Sequence, residues 1–325
     1  MASQKLLFLG WAPHGRRSQL MAQQLGGKLC FVHHLRFKRP WYAPAKYVLQ
    51  AIDTLKLLMR ERPDVIFVQN PPIFCVHMAA LYCQQTEAVY VIDSHTGAFL
   101  SPRWRWALPL HRQLSRRALS TLVTNEYLSR QVVSWGAPSL VIRDVPATFG
   151  PGRPFPVDGD FVVTVSNSFS WDEPLEEVLE AAAGLSDISF YITGNPQAME
   201  RRFRLDPPPN VRLTGFLDDD DYIGLMRASN AVMALTTKDH TMQRGACEAL
   251  ALGKPIITSN WQVLKEYFSG GTIHVESSAR AIREGILDMR SRWKRLAADI
   301  VELRADREKE WQEKKGILKA LLDAG

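Results

Sequence analysis

The feature that most constrains the fold is the regular alternation of short apolar segments with longer amphipathic segments. The short segments are continuously apolar and rich in Val, Ile, Phe and Thr, which is typical of strands buried on both faces of a parallel sheet. About six lie in each half, at residues 6–9, 29–33, 65–68, 89–92, 121–124 and 140–142, and at 161–165, 189–193, 211–214, 231–235, 255–258 and 272–275. Helical segments lie between them, for instance at 45–60, 103–119, 173–183 and 218–228. This order predicts two doubly wound α/β domains, each built on a parallel sheet.

A segment crowded with proline and glycine separates the two halves. Its members are Pro146, Gly150, Pro151, Gly152, Pro154 and Pro156. Neither a helix nor a central strand can continue through such a segment, so it reads as a linker. We therefore divide the chain into an N-terminal domain at residues 1–150 and a C-terminal domain at residues 151–325.

The last part of the chain has a different pattern. From about residue 278 to residue 322 the sequence is wholly helical, which predicts a long closing helix. Trp293 and Trp311 could anchor this helix on a neighbouring domain. The dense charges at 302–313 equally fit a solvated helix.

Composition restricts the class of protein. Hydrophobic residues make up 46% of the chain and charged residues 23%, a balance that excludes disorder, collagen and coiled coil as the main state. Residues 1–150 carry 18 Lys+Arg and 7 Asp+Glu, a net charge of +11, whereas residues 151–325 carry 22 and 27, a net charge of −5. A basic domain joined to an acidic one suggests different partners for the two.

Several observations favour a cytoplasmic protein. No apolar run approaches the roughly 18 to 20 residues that a membrane span needs. The first residues lack the charged and apolar regions of a secretory signal. The four cysteines form no CxxC pair, so free thiols in a reducing compartment are expected; they are Cys30, Cys75, Cys83 and Cys247.

In open α/β sheets, ligands bind beyond the carboxyl ends of the strands, so the residues that follow each predicted strand are the first site candidates. After the first strand come Gly15, Arg16 and Arg17 at the start of a helix. Gly15 allows close approach of the backbone, and the helix start with two arginines favours an anion. The alternative is an ordinary turn with solvated arginines. The segment is not a GxGxxG dinucleotide fingerprint.

Three further candidates follow the next predicted strands of the N-terminal domain. Asn70 would point its amide at a cleft between the domains, or cap the next helix. His95 could accept a proton from an acceptor hydroxyl, with Asp93 orienting the imidazole. The alternative for His95 is a structural role in the core.

The strongest candidate block lies in the C-terminal domain, where a helix begins near Gln243 and stops at Gly253. Arg244 and Glu248 are four residues apart and share one helix face. Arg244 and the free N–H groups of the first turn suit a diphosphate, Gly245 keeps the surface open, and Glu248 could accept both hydroxyls of a ribose. The alternative is a surface ion pair worth a few tenths of a kcal/mol. The expected donor site also includes Ser168, Gly194, Lys238 and His240. Gly15, Arg16 and Arg17 of the N-terminal domain are assigned to donor binding as well.

Two charged runs complete the candidates. The acidic run at residues 218–221 starts an amphipathic helix and is expected to cap it; no His or Cys cluster has zinc spacing, so no metal site is predicted. The segment from Leu100 to Arg117 is basic and aromatic, and it could lie on an anionic membrane surface or form a charged outer helix face. Within it, Arg103 and Arg105 are assigned to acceptor binding, as is Asn70 after the third predicted strand. No recognised motif supports nucleic-acid binding.

Seven short pieces in a fixed order resemble one enzyme family. They are residues 69–72, 91–95, 123–125, 144–149 and 166–174, the block around Glu248, and Glu266 within residues 264–267. The chain resembles the GT-B glycosyltransferases, which have two Rossmann-like domains, and within them the β-mannosyltransferases that extend lipid-linked chitobiose and similar bacterial enzymes. The resemblance implies that the C-terminal domain holds a nucleoside-diphosphate sugar and that the basic N-terminal domain holds the acceptor. It also implies that no metal or other cofactor is required.

Two departures from the resembling family bear on mechanism. Retaining relatives carry a carboxylate eight residues before the position of Glu248, where this chain has His240. They also use a basic pair in the loop that is here residues 166–174, which contains no Lys or Arg. We therefore expect an inverting displacement with His95 as the base.

Three functions fit these observations. The first is a glycosyltransferase acting on a lipid-linked or polysaccharide acceptor, peripheral at the inner face of the membrane. The second is a nucleotide-sugar epimerase, which would leave the basic, Trp-rich first half without a task. The third is a non-catalytic partner subunit, which the two departures would explain.

Overall fold

The structure is a computed structural model that describes residues 4–35, 42–195, 197 and 207–324. The chain divides into two compact units. The first contains Met1–Val145 together with Trp311–Gly325, and the second contains Pro146–Glu310. The boundary predicted at residue 150 lies just beyond this division. The residues from Trp311 onward, which we assigned to the C-terminal domain, pack with the first unit instead.

The first unit is built on a parallel sheet of six strands in the order β2-β1-β3-β4-β5-β6. The strands are β1 (Leu6–Gly10), β2 (Lys28–Phe31), β3 (Val65–Asn70), β4 (Val89–Ser94), β5 (Ser120–Val123) and β6 (Ser139–Val141). The helices are α1 (Arg16–Leu25), α2 (Ala43–Glu61), α3 (Ile73–Cys83), α4 (Thr96–Leu100), α5 (Leu108–Ser115) and α6 (Glu126–Ser134), with a 3₁₀ helix at Pro102–Ala107. The order of connection reverses between β1 and β3, which makes this the switch point of the sheet.

The second unit repeats the architecture with the strand order β12-β11-β10-β7-β8-β9, again parallel throughout. The strands are β7 (Val162–Val165), β8 (Ser189–Thr193), β9 (Val211–Gly215), β10 (Ala231–Ala234), β11 (Ile256–Ser259) and β12 (Thr272–Val275). The helices are α7 (Leu175–Ala183), α8 (Asp219–Ala228), α9 (Arg244–Leu252), α10 (Gln262–Tyr267), α11 (Ala279–Ser291) and α12 (Trp293–Ala324). The switch point lies between β7 and β10. Two doubly wound α/β domains are thus confirmed.

Local sequence signals explain where several helices begin and end. Every residue of β7 and β10 is buried, as expected for strands covered on both faces. Asp218 caps α8 by accepting a hydrogen bond from the Asp221 N–H, which confirms the capping role of the acidic run. The helix α9 ends at Gly253, whose φ of 67° is left-handed and favours glycine.

Two predicted helices are each divided in the structure. The segment 103–119 forms a 3₁₀ helix followed by α5, because Pro109 is tolerated in the first turn of a helix but not inside a longer one. The closing segment 278–322 forms α11 and α12, which are separated at Arg292. The indole of Trp293 donates to the Asn230 carbonyl at 2.7 Å in the second unit, and Trp311 is 2% exposed within the first.

Two sequence expectations concern the whole chain. All four cysteines are free, as predicted. Among the described helices, none has both the length and the apolar character that a membrane crossing requires.

A buried polar network joins the carboxyl ends of β3 and β4 to α5. The Asn70 amide nitrogen donates to Ser94 Oγ at 3.0 Å and lies 3.2 Å from His111 Nε2, which is 2.8 Å from Ser94 Oγ. All three side chains are at most 1% exposed. Burial lowers the pKa of His111 to about 3, so the ring stays neutral.

This network predicts a pH dependence of stability. A histidine in an unfolded chain has a pKa of about 6.5, so below that pH the unfolded state binds a proton that native His111 does not bind until about pH 3. The contribution is fully present above pH 6.5 and is lost on acidification, by up to about 1.4 kcal/mol per pH unit. Urea unfolding at pH 7, 6 and 5 should show a shallower pH slope for His111→Gln than for the wild type. The exposed His14 provides the control, since His14→Gln should keep the wild-type slope; equal slopes in all three proteins would contradict the prediction.

Candidate functional site

Each sheet has an edge where the carboxyl ends of its strands meet, and loops diverge at its switch point to leave a crevice. In the second unit, the loop after β7 and the segment from the end of β10 to α9 flank the switch point. In the first unit, the loop from β1 to α1 and the end of β3 do so, and β4 lies beside them. The predicted residues, apart from Gly194 after β8 and the basic segment after β4, lie at these positions.

A chain of hydrogen bonds crosses the edge of the second sheet. Arg244 Nε donates to Glu248 Oε1 at 3.1 Å, and the Tyr222 hydroxyl donates to Glu248 Oε2 at 3.0 Å. The Tyr222 oxygen also lies 2.9 Å from Ser166 Oγ. Burial, followed by the adjacent Glu248 carboxylate, raises the pKa of Tyr222 well above its usual range, so the phenol remains a donor. The chain links α9, α8 and the end of β7 into one rigid group.

This group leaves binding capacity at the start of α9. A carboxylate has about four acceptor positions, so Glu248 can still accept from a ligand after its bonds to Arg244 and Tyr222. The Arg244 side chain is 34% exposed and the Glu248 side chain 14%. Gln243 occupies the N-cap position of this described helix, and its side chain makes no capping bond, so the positive end of the helix is available to an anion.

Gly245 serves a different purpose from the predicted one. We expected it to keep the surface open, but Gly245 is buried. A Cβ at this position would collide with Ser166 Cβ and Oγ. The glycine therefore lets the first turn of α9 pack directly against the residue that follows β7.

Lys238 contacts the loop at residues 166–174, which contains no Lys or Arg of its own. Its Nζ lies 3.5 Å from Asp172 Oδ1 and 3.9 Å from the centre of the Trp171 ring. Burial raises the pKa of Asp172, but hydrogen bonds from Ser170 and Thr236 and the Lys238 charge outweigh it, so the pKa is lowered. The positive charge absent from residues 166–174 is thus supplied beside that loop by the loop after β10.

The other predicted donor residues have structural partners. The Ser168 N–H and hydroxyl both donate to the Glu173 carboxylate, within its own loop. Gly194 has a φ of 132°, and a Cβ there would lie 2.6 Å from the Asn167 carbonyl oxygen, so both conformation and space require glycine. His240, ahead of α9, has a left-handed φ of 57°, and its ring Nε2 lies 3.6 Å from Asp239 Oδ2.

In the first unit, Arg17 and His95 converge on a buried carboxylate. Arg17 Nε donates to both oxygens of Asp93, at 2.9 and 3.1 Å, and its terminal nitrogen donates to the Ile142 carbonyl at 2.9 Å. His95 Nε2 lies 3.5 Å from Asp93 Oδ2, at the outer limit of a hydrogen bond. Burial would raise the pKa of Asp93, but Arg17 and His95 hold it well below its usual range. Arg17, predicted to meet a donor diphosphate, instead neutralises Asp93.

The position of His95 agrees with the sequence expectation in part. Its backbone N–H donates to the Asn70 carbonyl at 2.9 Å, and its side chain is 36% exposed at the start of α4. Asp93 lies beside the ring, 3.5 Å from Nε2, and its role in orienting His95 stays a prediction. The predicted contact of the Asn70 amide with an acceptor does not fit its position, because that amide is buried and donates to Ser94.

The remaining predicted residues of the first unit lie near the surface. Gly15 precedes α1, and a Cβ there would lie 3.0 Å from Gln69 Oε1; Arg16 is half-buried. Arg103 and Arg105 are exposed on the 3₁₀ helix, as are Arg116 and Arg117 after α5.

Sequence reasoning missed three participants. Tyr222 and Ser166 complete the chain to Glu248, and Gln69 Oε1 is a buried acceptor without a partner among the described residues. The signal that could have identified Gln69 is its place in segment 69–72, one of the pieces that carry the family resemblance. For Tyr222, the sequence showed only an aromatic residue on an amphipathic helix, which does not indicate a contact with Glu248. In the described part of the chain, no group of three or more His, Cys, Asp or Glu side chains could hold a metal ion.

Two family descriptions match the two halves of the sequence. Residues 8–148 match the family described as "Glycosyl transferase 4-like domain", and residues 173–313 match the family described as "Glycosyl transferase-like". A comparison with curated protein sequences gives no match.

Solved structures resemble the whole chain. Sucrose-phosphate synthase from Thermosynechococcus elongatus superposes with a TM-score of 0.74 at 12% identity, covering 99% of this chain and 100% of the other. A glycosyltransferase from Rickettsia africae ESF-5 gives 0.72 at 14% identity, with coverage of 98% and 100%. Anabaena HepE in complex with UDP and glucose gives 0.69 at 16%, with coverage of 98% and 100%. At these identities the likeness establishes the fold. Together with the two family matches, it shows that the chain belongs to the GT-B glycosyltransferases.

Proposed function

We propose that the protein transfers a sugar from a nucleoside-diphosphate sugar to a lipid-linked or polysaccharide acceptor, without a required metal or other cofactor. The single observation that carries the donor half of this proposal is the chain Ser166–Tyr222–Glu248–Arg244 at the start of α9. It combines a cation, a helix N-terminus and a carboxylate with spare acceptor positions. Those groups complement a diphosphate and a ribose, respectively.

The donor is expected to bind with its diphosphate at the N-terminus of α9. Arg244 and the first N–H groups of α9 would stabilise the negative charge that grows on the leaving diphosphate, which is the task a metal performs in other enzymes. Lys238 adds a second cation beside the loop after β7. The UDP bound in the fold-related HepE supports a nucleoside diphosphate as the ligand class.

His95 is proposed as the general base. The acceptor hydroxyl attacks the anomeric carbon and forms the new C–O bond, while the bond to the diphosphate breaks and its electrons leave with the diphosphate. The hydroxyl proton passes to His95 Nδ1, because Nε2 is buried and faces Asp93. Asp93, kept ionised by Arg17, stabilises the imidazolium that results. Attack from the face opposite the leaving group inverts the anomeric configuration.

The acceptor class rests on charge. The first 150 residues carry a net charge of +11, which favours an acceptor that bears phosphates or lies at an anionic surface. The resemblance to chitobiose-extending mannosyltransferases makes a lipid-linked glycan our preferred acceptor. It does not extend to mannose as the donor sugar.

Assays with a panel of nucleotide sugars distinguish the proposal from its two alternatives. Transfer to an added acceptor supports the glycosyltransferase. Conversion of the nucleotide sugar to its epimer without an acceptor supports an epimerase. Binding without turnover supports a non-catalytic partner subunit. The histidine at position 240, where retaining relatives have a carboxylate, would then explain the loss of turnover.

The donor site predicts the effect of two substitutions. Arg244→Ala should weaken nucleotide-sugar binding by about 1.5–3 kcal/mol, the usual range for a hydrogen bond to a charged group. Glu248→Ala should weaken binding of the free nucleoside diphosphate as well, because the ribose is common to both ligands. Isothermal titration calorimetry measures both effects.

An arginine–glutamate pair outside the site supplies the matched control. Arg280 Nε donates to Glu284 Oε1 at 2.9 Å with the same four-residue spacing on α11, and the Arg280 side chain is 89% exposed. Arg280→Ala should leave both affinities unchanged. Wild-type affinity in the Arg244 and Glu248 variants would exclude this donor site.

The base assignment predicts a loss of turnover without a loss of donor binding. General-base catalysis typically contributes about 10²–10⁴-fold, so His95→Ala should lose transfer by that factor. The product should have the anomeric configuration opposite to that of the donor, which NMR of the product determines.

A second His–Asp pair in the described part of the first unit is the control for His95. His34 Nε2 lies 2.7 Å from Asp53 Oδ2, and His34→Ala should keep most of the activity. Near-normal turnover in His95→Ala would refute the base, and a retained configuration would refute the inverting displacement.

A further inference from the structure

The helix α2 buries a line of polar side chains and exposes a set of aliphatic ones. Its buried line contains Lys46, Gln50 and Thr54 before it reaches Leu58, at most 3% exposed each. Aliphatic side chains lie on the opposite side: Val48, Leu49, Ile52 and Met59 are 60%, 42%, 46% and 60% exposed. A surface helix of a soluble protein ordinarily has the opposite arrangement.

Specific hydrogen bonds hold the polar face inward. Trp11 Nε1 donates to Thr54 Oγ1 at 2.8 Å, and the Gln50 amide nitrogen donates to the Val32 carbonyl at 2.8 Å. Rotation of the helix about its axis to bury the aliphatic side chains would break these hydrogen bonds, and buried polar groups without partners destabilise a fold. The outward aliphatic face is therefore a fixed feature of the fold.

The exposed side chains form one continuous stripe, which we call the α2 ridge and define as Val48, Leu49, Ile52 and Met59. With 100° of rotation per residue, all four lie within about a quarter to a third of the helix circumference. Lys56 lies on the same side, and its side chain is 70% exposed. Contiguous exposed apolar side chains of this kind mark interaction surfaces.

Aromatic rings connect α2 to the basic 3₁₀ helix. The ring centres of Tyr47 and Phe74 are 5.2 Å apart, and those of Phe74 and Trp106 are 5.9 Å apart. Trp106 is 62% exposed, and Arg103 and Arg105 on either side of Trp104 are exposed too. The first unit thus presents aliphatic side chains, an exposed indole and arginines from adjoining elements.

We propose that the α2 ridge docks on a lipid bilayer that contains anionic headgroups. The aliphatic side chains enter the boundary between headgroups and acyl chains, Trp106 lies at headgroup depth, and Arg103, Arg105 and Lys56 contact lipid phosphates. The inference deepens the proposed function, because a lipid-linked acceptor resides in such a bilayer, but it uses no residue of the donor site.

Charge favours a bilayer over a second copy of the chain. The first 150 residues carry a net charge of +11, so two such surfaces repel each other, whereas an anionic bilayer attracts them. The acidic residue nearest the middle of the ridge, Asp53, already pairs with His34 at 2.7 Å and with Lys56 at 3.7 Å.

Vesicle sedimentation tests the docking surface. The protein is mixed with vesicles of phosphatidylcholine alone, or with phosphatidylglycerol at one part in four. Wild-type protein should bind the anionic vesicles more tightly, and binding should weaken as salt is raised. The combined variant V48S/L49S/I52S/M59S should lose binding by about tenfold or more, since each aliphatic side chain withdrawn from the boundary removes favourable burial. R103Q/R105Q should reduce the preference for anionic vesicles.

Matched exposed aliphatic residues on other helices provide the control. The variant L287S/V301S/I317S changes side chains that are 46%, 47% and 47% exposed, and it should bind vesicles as the wild type does. If the variant V48S/L49S/I52S/M59S, the ridge variant, bound vesicles as tightly as the wild type does, the proposal would be overturned. Dimerisation of the wild type, seen by sedimentation velocity, that the ridge variant abolishes while vesicles go unbound would overturn it too.

Donor binding separates this proposal from the proposed function. A thermal shift with the nucleotide sugar that the wild type binds shows that the ridge variant is folded. If no nucleotide sugar binds but anionic vesicles do, the proposed transfer fails while the docking surface stands. Near-UV circular dichroism then reports the folding of the variant.

Discussion

Within each sheet the strands are parallel to one another, and this constraint decides where polar chemistry can lie in the chain. Parallel strands require crossover helices, which cover both faces of each sheet and close them to ligands. Ligands of such sheets bind at the edge formed by the carboxyl ends, where each loop turns from a strand towards the next helix. The Arg17–Asp93 pair and the Asn70–Ser94–His111 network lie at that edge of the first unit, and the chain from Ser166 to Arg244 lies at that edge of the second.

The two edges use an arginine and a carboxylate in different ways. The Arg17 and Asp93 side chains are 10% and 5% exposed, so this pair is nearly sealed, and removal of either partner would leave a buried charge unpaired. The Arg244 and Glu248 side chains are 34% and 14% exposed, so this pair remains accessible to solvent. The first pair keeps Asp93 ionised beside His95, whereas the second is accessible, as the proposed donor site requires. The two arginine–carboxylate pairs thus differ in their access to solvent because their burial differs.

The sequence predicts local features well and features that depend on strand order poorly. Continuously apolar runs identified the strands, because a segment without polar residues has few other places in a soluble protein. Arg244 and Glu248 were predicted to face each other because a four-residue spacing in a helix guarantees it. Tyr222 was missed because its contact with Glu248 spans 26 residues and depends on β7 lying beside β10. The pairing of Arg17 with Asp93 across 76 residues was missed for the same reason.

The helix α12 joins parts of the chain that are far apart in sequence. Its residues up to Glu310 belong to the second unit, whereas those from Trp311 onward belong to the first, in which Trp311 is nearly fully buried. Synthesis proceeds from the N-terminus, so the first unit emerges early but lacks this tryptophan until the entire second unit has been made. Of these two units, the first therefore leaves the ribosome earlier but is completed later. Its final maturation depends on the synthesis of the second domain, even though its sheet contains no strand from there.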